Sequence, residues 1–156
     1  MNTTSLHAAM MQKAFALAQK AAEADEVPVG AVVYDDSGQV WGEGYNLTIT
    51  NADPSAHAEI IAMRAAGKKA GTPNLSGLYL ATTLEPCAMC AQAMAWGRIK
   101  AVYYGALDPK SGGVLHGAKV FSHKTCHHKP LVEEGTLADE SKALLQTFFR
   151  EKREKK

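Results

Sequence analysis

The sequence predicts an α/β domain in which helices flank a sheet, and three observations carry that prediction. Helical and strand patterns alternate along the chain. Two of the strands are separated by a single helix, the arrangement of a parallel crossover. A length of 156 residues with 46% hydrophobic content fits one domain, spanning 1–156, with a core of its own.

Met10, Ala14, Leu17, Ala18 and Ala21 recur at helical spacing, so residues near 6 to 24 form an amphipathic helix packed on something larger. Val29 to Tyr34 reads as a strand. The cluster Asp35-Asp36-Ser37-Gly38 turns the chain, and Val40 to Asn46 returns antiparallel. Asp53 as N-cap and Pro54 at the first helical position start a second helix that runs to Lys69, with His57 and Glu59 on its first turns. Beyond a loop marked by Gly71, Pro73 and Gly77, Leu78 to Thr83 is a short apolar strand. Pro86 then starts a helix through Trp96 that carries Cys87 and Cys90 in its first turn. Ala101 to Tyr104 is another strand. Residues from Asp108 to Pro130, rich in Gly, Lys and His, form a long loop with one helical turn, of the length often given to function. Leu137, Leu144, Leu145 and Phe148 mark a last amphipathic helix, with Thr136 and Asp139 as its capping pair. No internal repeat or low-complexity segment interrupts this order.

No apolar run reaches the roughly 18 residues of a membrane span, and the N-terminus lacks a secretory pattern, so a cytoplasmic protein with no membrane contact is expected. Three cysteines, two spaced Cys-x-x-Cys, make a poor disulfide framework and suit metal or redox chemistry in a reducing compartment. The net charge of +1 conceals an asymmetry: residues 98 to 130 hold six basic side chains and one acidic. That surface suits phosphates, or is an ordinary solvated face.

Residues three apart share a helix face, so Cys87 and Cys90 present two sulfurs to one point. A helix N-terminus lowers thiol pKa and favours the thiolate that a metal needs. Two thiolates with the imidazole of His57 suit zinc and leave a fourth tetrahedral position for water, the arrangement of a catalytic site. Glu59 then serves as the acid/base. His57-Ala58-Glu59 followed by Pro86-Cys87-Ala88-Met89-Cys90 is the pattern of zinc-dependent nucleobase deaminases. Were Cys126, or His123, His127 or His128 beside it, to close the fourth position, the zinc would be structural and the chain a non-catalytic binding module. A Cys87–Cys90 redox pair would leave His57 and Glu59 without a task.

Val27-Pro28-Val29-Gly30-Ala31-Val32, Asp53-Pro54-Ser55-Ala56-His57-Ala58-Glu59 and Thr83-Leu84-Glu85-Pro86-Cys87-Ala88-Met89-Cys90 resemble the bacterial tRNA adenosine deaminase and guanine deaminase branch of the cytidine deaminase-like superfamily, over nearly the whole chain. The resemblance implies a three-layer α/β/α sandwich with a five-stranded mixed sheet. It also implies one zinc per chain and a homodimer whose subunits help complete each other's substrate site. Carried across in the same way, Asn46 hydrogen-bonds the substrate and the loop around Asp108 meets the nucleotide next to the target. Read by themselves, Asn46 is also a strand-end turn residue and Asp108-Pro109 a turn. Leu144-Leu145, Phe148-Phe149-Arg150, the basic tail and Tyr104-Gly105-Ala106 before Asp108-Pro109-Lys110 look like the tRNA enzymes, which implies conversion of adenosine to inosine at the anticodon wobble position. Thr48, where those enzymes often carry arginine, Trp96 and Leu115-His116-Gly117 depart from that pattern. They keep a free nucleobase or nucleoside, such as guanine, guanosine or cytosine, as the alternative substrate.

Overall fold

A computed structural model describes residues 3–154, so Lys155 and Lys156 of the basic tail lie outside the described residues. The chain runs α1 (Thr3–Glu23), β1 (Gly30–Tyr34), β2 (Val40–Tyr45), α2 (Ala58–Ala70), β3 (Tyr79–Leu84), α3 (Ala88–Trp96), β4 (Ala101–Ala106), a 3-10 turn (Val120–Ser122), β5 (Leu131–Glu134) and α4 (Ala138–Glu154). The five strands form one sheet in the order β2-β1-β3-β4-β5. β1 pairs antiparallel with β2 and with β3, whereas β3 and β4, and β4 and β5, pair parallel. The crossover expected between the strands flanking α3 is therefore present.

Strand periodicity decides which side chains meet which helices. Ala31, Val33, Leu80 and Val102 pack with Ala62, Met63 and Ala66 of α2 and Cys90 and Met94 of α3. Val32, Tyr34, Tyr79 and Ala81 face the other way, onto Leu6, Met10, Met11, Ala14 and Leu17 of α1. α4 joins α1 on that second face, against β3 and β4. The result is three layers, with α2 and α3 side by side on one face of a mixed sheet. Among the described residues no helix is long and apolar enough to cross a membrane.

α2 lies directly on β2, and glycine makes the approach possible. A Cβ at Gly42 would stand 2.2 Å from the carbonyl oxygen of Ala62 and 2.7 Å from the amide nitrogen of Ala66. Both are backbone atoms that cannot rotate away. Gly42→Ala is expected to lower unfolding free energy by about 2–3 kcal/mol, as overpacking does. Chemical denaturation measures this, and an unchanged midpoint would mean that α2 moves off the sheet without cost.

Two local expectations need correction, and one strand adds to them. α2 starts at Ala58, with His57 as its N-cap, and not at Asp53-Pro54. Asp53 instead accepts hydrogen bonds from the Ser55 amide (2.8 Å) and hydroxyl (2.7 Å), closing a turn before the helix. α4 starts at Ala138, behind Leu137 in the left-handed region with φ 56°, so Thr136 is not its cap. β5, the fifth strand, follows directly on the predicted long loop and has no periodicity to read: all four of its residues are exposed, and pairing to β4 makes it a strand.

Candidate metal centre

His57 and Cys87 are the N-cap residues of α2 and α3, and neither uses its side chain to cap its helix. The imidazole and the thiol are left for each other. Cys90, fully buried, lies three residues further along. His57 Nδ1 is 3.5 Å from Cys87 Sγ and 3.5 Å from Cys90 Sγ, and the three ligand atoms lie within 4.8 Å of one another. Zinc bonded to nitrogen at about 2.05 Å and to sulfur at about 2.3 Å, at tetrahedral angles, separates N from S by about 3.5 Å. The donors thus fit one tetrahedral zinc in spacing as well as in chemistry, with one position beyond the three.

The protonation of these groups follows from their packing. The Cys90 thiol hydrogen-bonds Cys87 and, against the effect of burial and with help from His57, holds the Cys87 thiol down at about 4. Cys90 is pushed up by that same bond and by burial. His57 is raised, chiefly by its bond to Cys87. Both cysteines also sit at the positive end of α3. A cation held there would take the place of the shared protons, because thiolates and imidazole ligate a metal deprotonated.

Glu59, the second residue of α2, is 4% exposed, and burial pushes its carboxyl up to about 7, with the nearby charge of Cys87 adding and that of His57 opposing. Burial thus favours its protonated form. Asn46, just past β2, accepts a 2.8 Å hydrogen bond from the Ala58 amide through Oδ1. Its side chain is thereby fixed at the start of α2, and its NH2 group is what it can offer a ligand. Asp108 lies on the loop after β4, where its Oδ1 accepts from the Ser111 amide at 3.1 Å, so the turn role is realised.

The histidine tract does not join the centre. Cys126 Sγ donates to the His128 carbonyl at 3.1 Å, and His128 Nε2 reaches the Ile99 carbonyl at 2.7 Å. His123 bonds the Ala118 carbonyl, and His127 lies beside Trp96. Among the described residues, the group of three able to hold a metal is His57, Cys87 and Cys90.

Two buried carboxylates that sequence reasoning passed over hold the loops beside the centre. Glu26, 1% exposed, accepts from the Ile49 amide at 3.2 Å and from the Thr50 amide and hydroxyl at 2.6 Å each, pinning the turn that leads to His57. Glu85, 2% exposed and two residues before Cys87, receives the Asp108 amide and several donors from residues 114–116. The only signal in the sequence was a carboxylate set between apolar Leu84 and Pro86.

The family described as the cytidine and deoxycytidylate deaminase zinc-binding region matches residues 4–106. The tRNA-specific adenosine deaminase of Agrobacterium fabrum is 48% identical over 143 residues, covering 92% of this chain and 93% of that protein. A structure from a study of A-to-I editing by tRNA deaminases at the wobble position superimposes with a TM-score of 0.85 at 46% identity, covering 87% of this chain and 98% of that one. The guanine deaminase of Nitrosomonas europaea is also similar, at a TM-score of 0.74 and 26% identity, covering 90% of this chain and 83% of that one.

Proposed function

The chain belongs to the cytidine and deoxycytidylate deaminase family, a family of zinc-binding enzymes, and from that premise we propose that it converts adenosine to inosine at the anticodon wobble position of transfer RNA. The observation that carries the substrate is the 48% identity, over almost all of both chains, to a protein named for that activity. The exposed basic side chains Arg98, Lys100, Lys110, Lys119, Lys124 and Lys129 support it, because flanking phosphates need cations. Residues 1–156 act as one deaminase domain.

His57, Cys87 and Cys90 hold one zinc. Such an ion supplies a water-derived nucleophile at neutral pH and polarises the group under attack. The rest falls to side chains. Glu59 takes a proton from the attacking water and delivers it to the ring nitrogen, then takes the proton of the hydroxyl newly formed on the ring carbon and hands it to the departing amine as the carbon–nitrogen bond breaks, so that adenosine and water become inosine and ammonia. Its burial beside His57 and Cys87 supports that role. Asn46, oriented by the Ala58 amide, donates through its NH2 group to an acceptor on the base. The Asp108 loop contacts the nucleotide next to the target, which must be unpaired to enter.

Trp96 (69% exposed) and Met89 (39% exposed) stand seven apart on α3, leaving an apolar stripe uncovered, and this supports a homodimer in which each subunit completes the other's substrate surface. Three free cysteines support a reducing, cytoplasmic setting.

The test is a panel of tRNA, single-stranded DNA, adenosine, guanine, guanosine, cytosine and cytidine scored for ammonia. Release from tRNA alone is expected, with RNA affinity falling steeply as salt rises. Trp96 and the Leu115-His116-Gly117 segment favour a second reading, a free-base deaminase. Ammonia from guanine and none from tRNA would establish that reading in place of the first.

A further inference from the structure

We propose that Glu85 is a positioning residue for the substrate: with His116 as its counterpart, it clasps the loop that carries Asp108 to the Cys87 end of α3. The proposal rests on the reading that this loop meets the RNA.

The clasp is built from one carboxylate and five donors. Oε1 accepts from the Asp108 amide at 3.1 Å and from His116 Nδ1 at 2.7 Å. Oε2 accepts from the amides of Val114 at 3.2 Å, Leu115 at 3.0 Å and His116 at 3.1 Å. Residues 107 to 117 contain no helix or strand, so these bonds replace the ladder that would otherwise fix such a segment. The Glu85 amide is itself tied to the Ala106 carbonyl at 2.8 Å, and the Gly113 amide to the Pro86 carbonyl at 2.8 Å. The same four-residue stretch, Leu84 to Cys87, thus ends β3, supplies a metal-facing thiol and holds the loop.

The fit leaves no room to slip. A Cβ at Gly112 would lie 2.3 Å from Glu85 Oε2, and one at Gly113 would lie 2.4 Å from the amide nitrogen of Ala88. Asp108 is therefore held at a set distance from the Cys87 end of the centre through Glu85, on a loop with no regular backbone pairing of its own. Where one side chain gathers most of the bonds that hold a loop, a change there moves what the loop binds and leaves the reacting groups in place.

Glutamine makes the test sharp. Its carbonyl oxygen can serve one set of donors, but its NH2 group then faces the other set, donor against donor. In zinc-loaded protein, Glu85→Gln should raise KM for a tRNA anticodon stem-loop by about 10-fold while kcat changes little, as loss of a charge-assisted hydrogen bond used in binding would. His116→Ala should act in the same direction, and His116→Asn, which keeps a donor near the Nδ1 position, should restore most of the loss. Amide exchange at residues 114–116 should be slow in the wild type and fast in Glu85→Gln. Should Glu85→Gln fail to fold, the His116 pair still decides. A fall in kcat at unchanged KM, or equal KM for His116→Ala and His116→Asn, overturns the positioning role. If the wild type acts only on a free base, the RNA reading fails by itself. KM for that base in the two His116 variants then decides the clasp, an equal value overturning it.

Discussion

Glu59→Ala should cut ammonia release from tRNA by about 10³-fold, within the range expected for loss of a positioned acid/base, while zinc content stays at one per chain. His57 Nδ1 and the two sulfurs form a group whose atoms lie within 4.8 Å of one another, and Glu59 is not among them. Its carboxyl is 4% exposed, so solvent does not readily replace it as a proton carrier. Glu59→Gln is the stricter variant, since it keeps the shape and removes the proton transfer, and it should be as inactive as alanine. Neither change should lower the thermal midpoint, because a buried ionisable group without an ion-pair partner costs stability. Turnover within about tenfold of wild type, with zinc retained, would refute the assignment.

The second large effect is expected at Cys90. Cys90→Ser replaces a fully buried sulfur with an oxygen that ligates zinc less well, so zinc content should fall far below one per chain and activity with it. Stability should fall too. Zinc bound only by the folded state, at about a thousandfold over its dissociation constant, stabilises by about 4 kcal/mol. In a chain of this size that corresponds to roughly 10 °C in thermal midpoint. Chelation of the wild type should produce the same loss, and added zinc should reverse it in the wild type alone. Full zinc content and full activity in Cys90→Ser would remove this cysteine from the ligand set.

Much of this was legible in the chain because it is local. α1, β1, β2, β3, α3 and β4 follow from apolar spacing and turn residues, and their bounds lie close to those expected. The His57-Ala58-Glu59 and Pro86-Cys87-Ala88-Met89-Cys90 motifs sit at helix starts, as their flanking residues suggest, although α2 begins four residues later than Asp53-Pro54 indicates. The delay has a local cause and a tertiary one. Asn46 and Glu26 hold residues 48 to 58 from outside the segment, and Asp53 turns its side chain to Ser55.

β5 shows the opposite case. Leu131, Val132, Glu133 and Glu134 have no alternation to read, and all four are exposed. They form a strand because β4 presents an unpaired edge, and backbone groups, which carry no sequence code, satisfy it. The histidine tract, which reads in the sequence as a polar loop more readily than as a metal site, forms loop hydrogen bonds, whereas Glu85, set between Leu84 and Pro86, carries five hydrogen bonds that no spacing rule could reveal.

The sequence by itself determined that the His57-Ala58-Glu59 and Pro86-Cys87-Ala88-Met89-Cys90 motifs stand at two helix starts, because that depends on residues close to each other along the chain. Only the tertiary structure decided that the two helix starts meet at 3.5 Å, and that a carboxylate at the end of β3 holds the loop of Asp108. Those are contacts across about thirty residues of chain, set by which faces of the sheet the helices must cover.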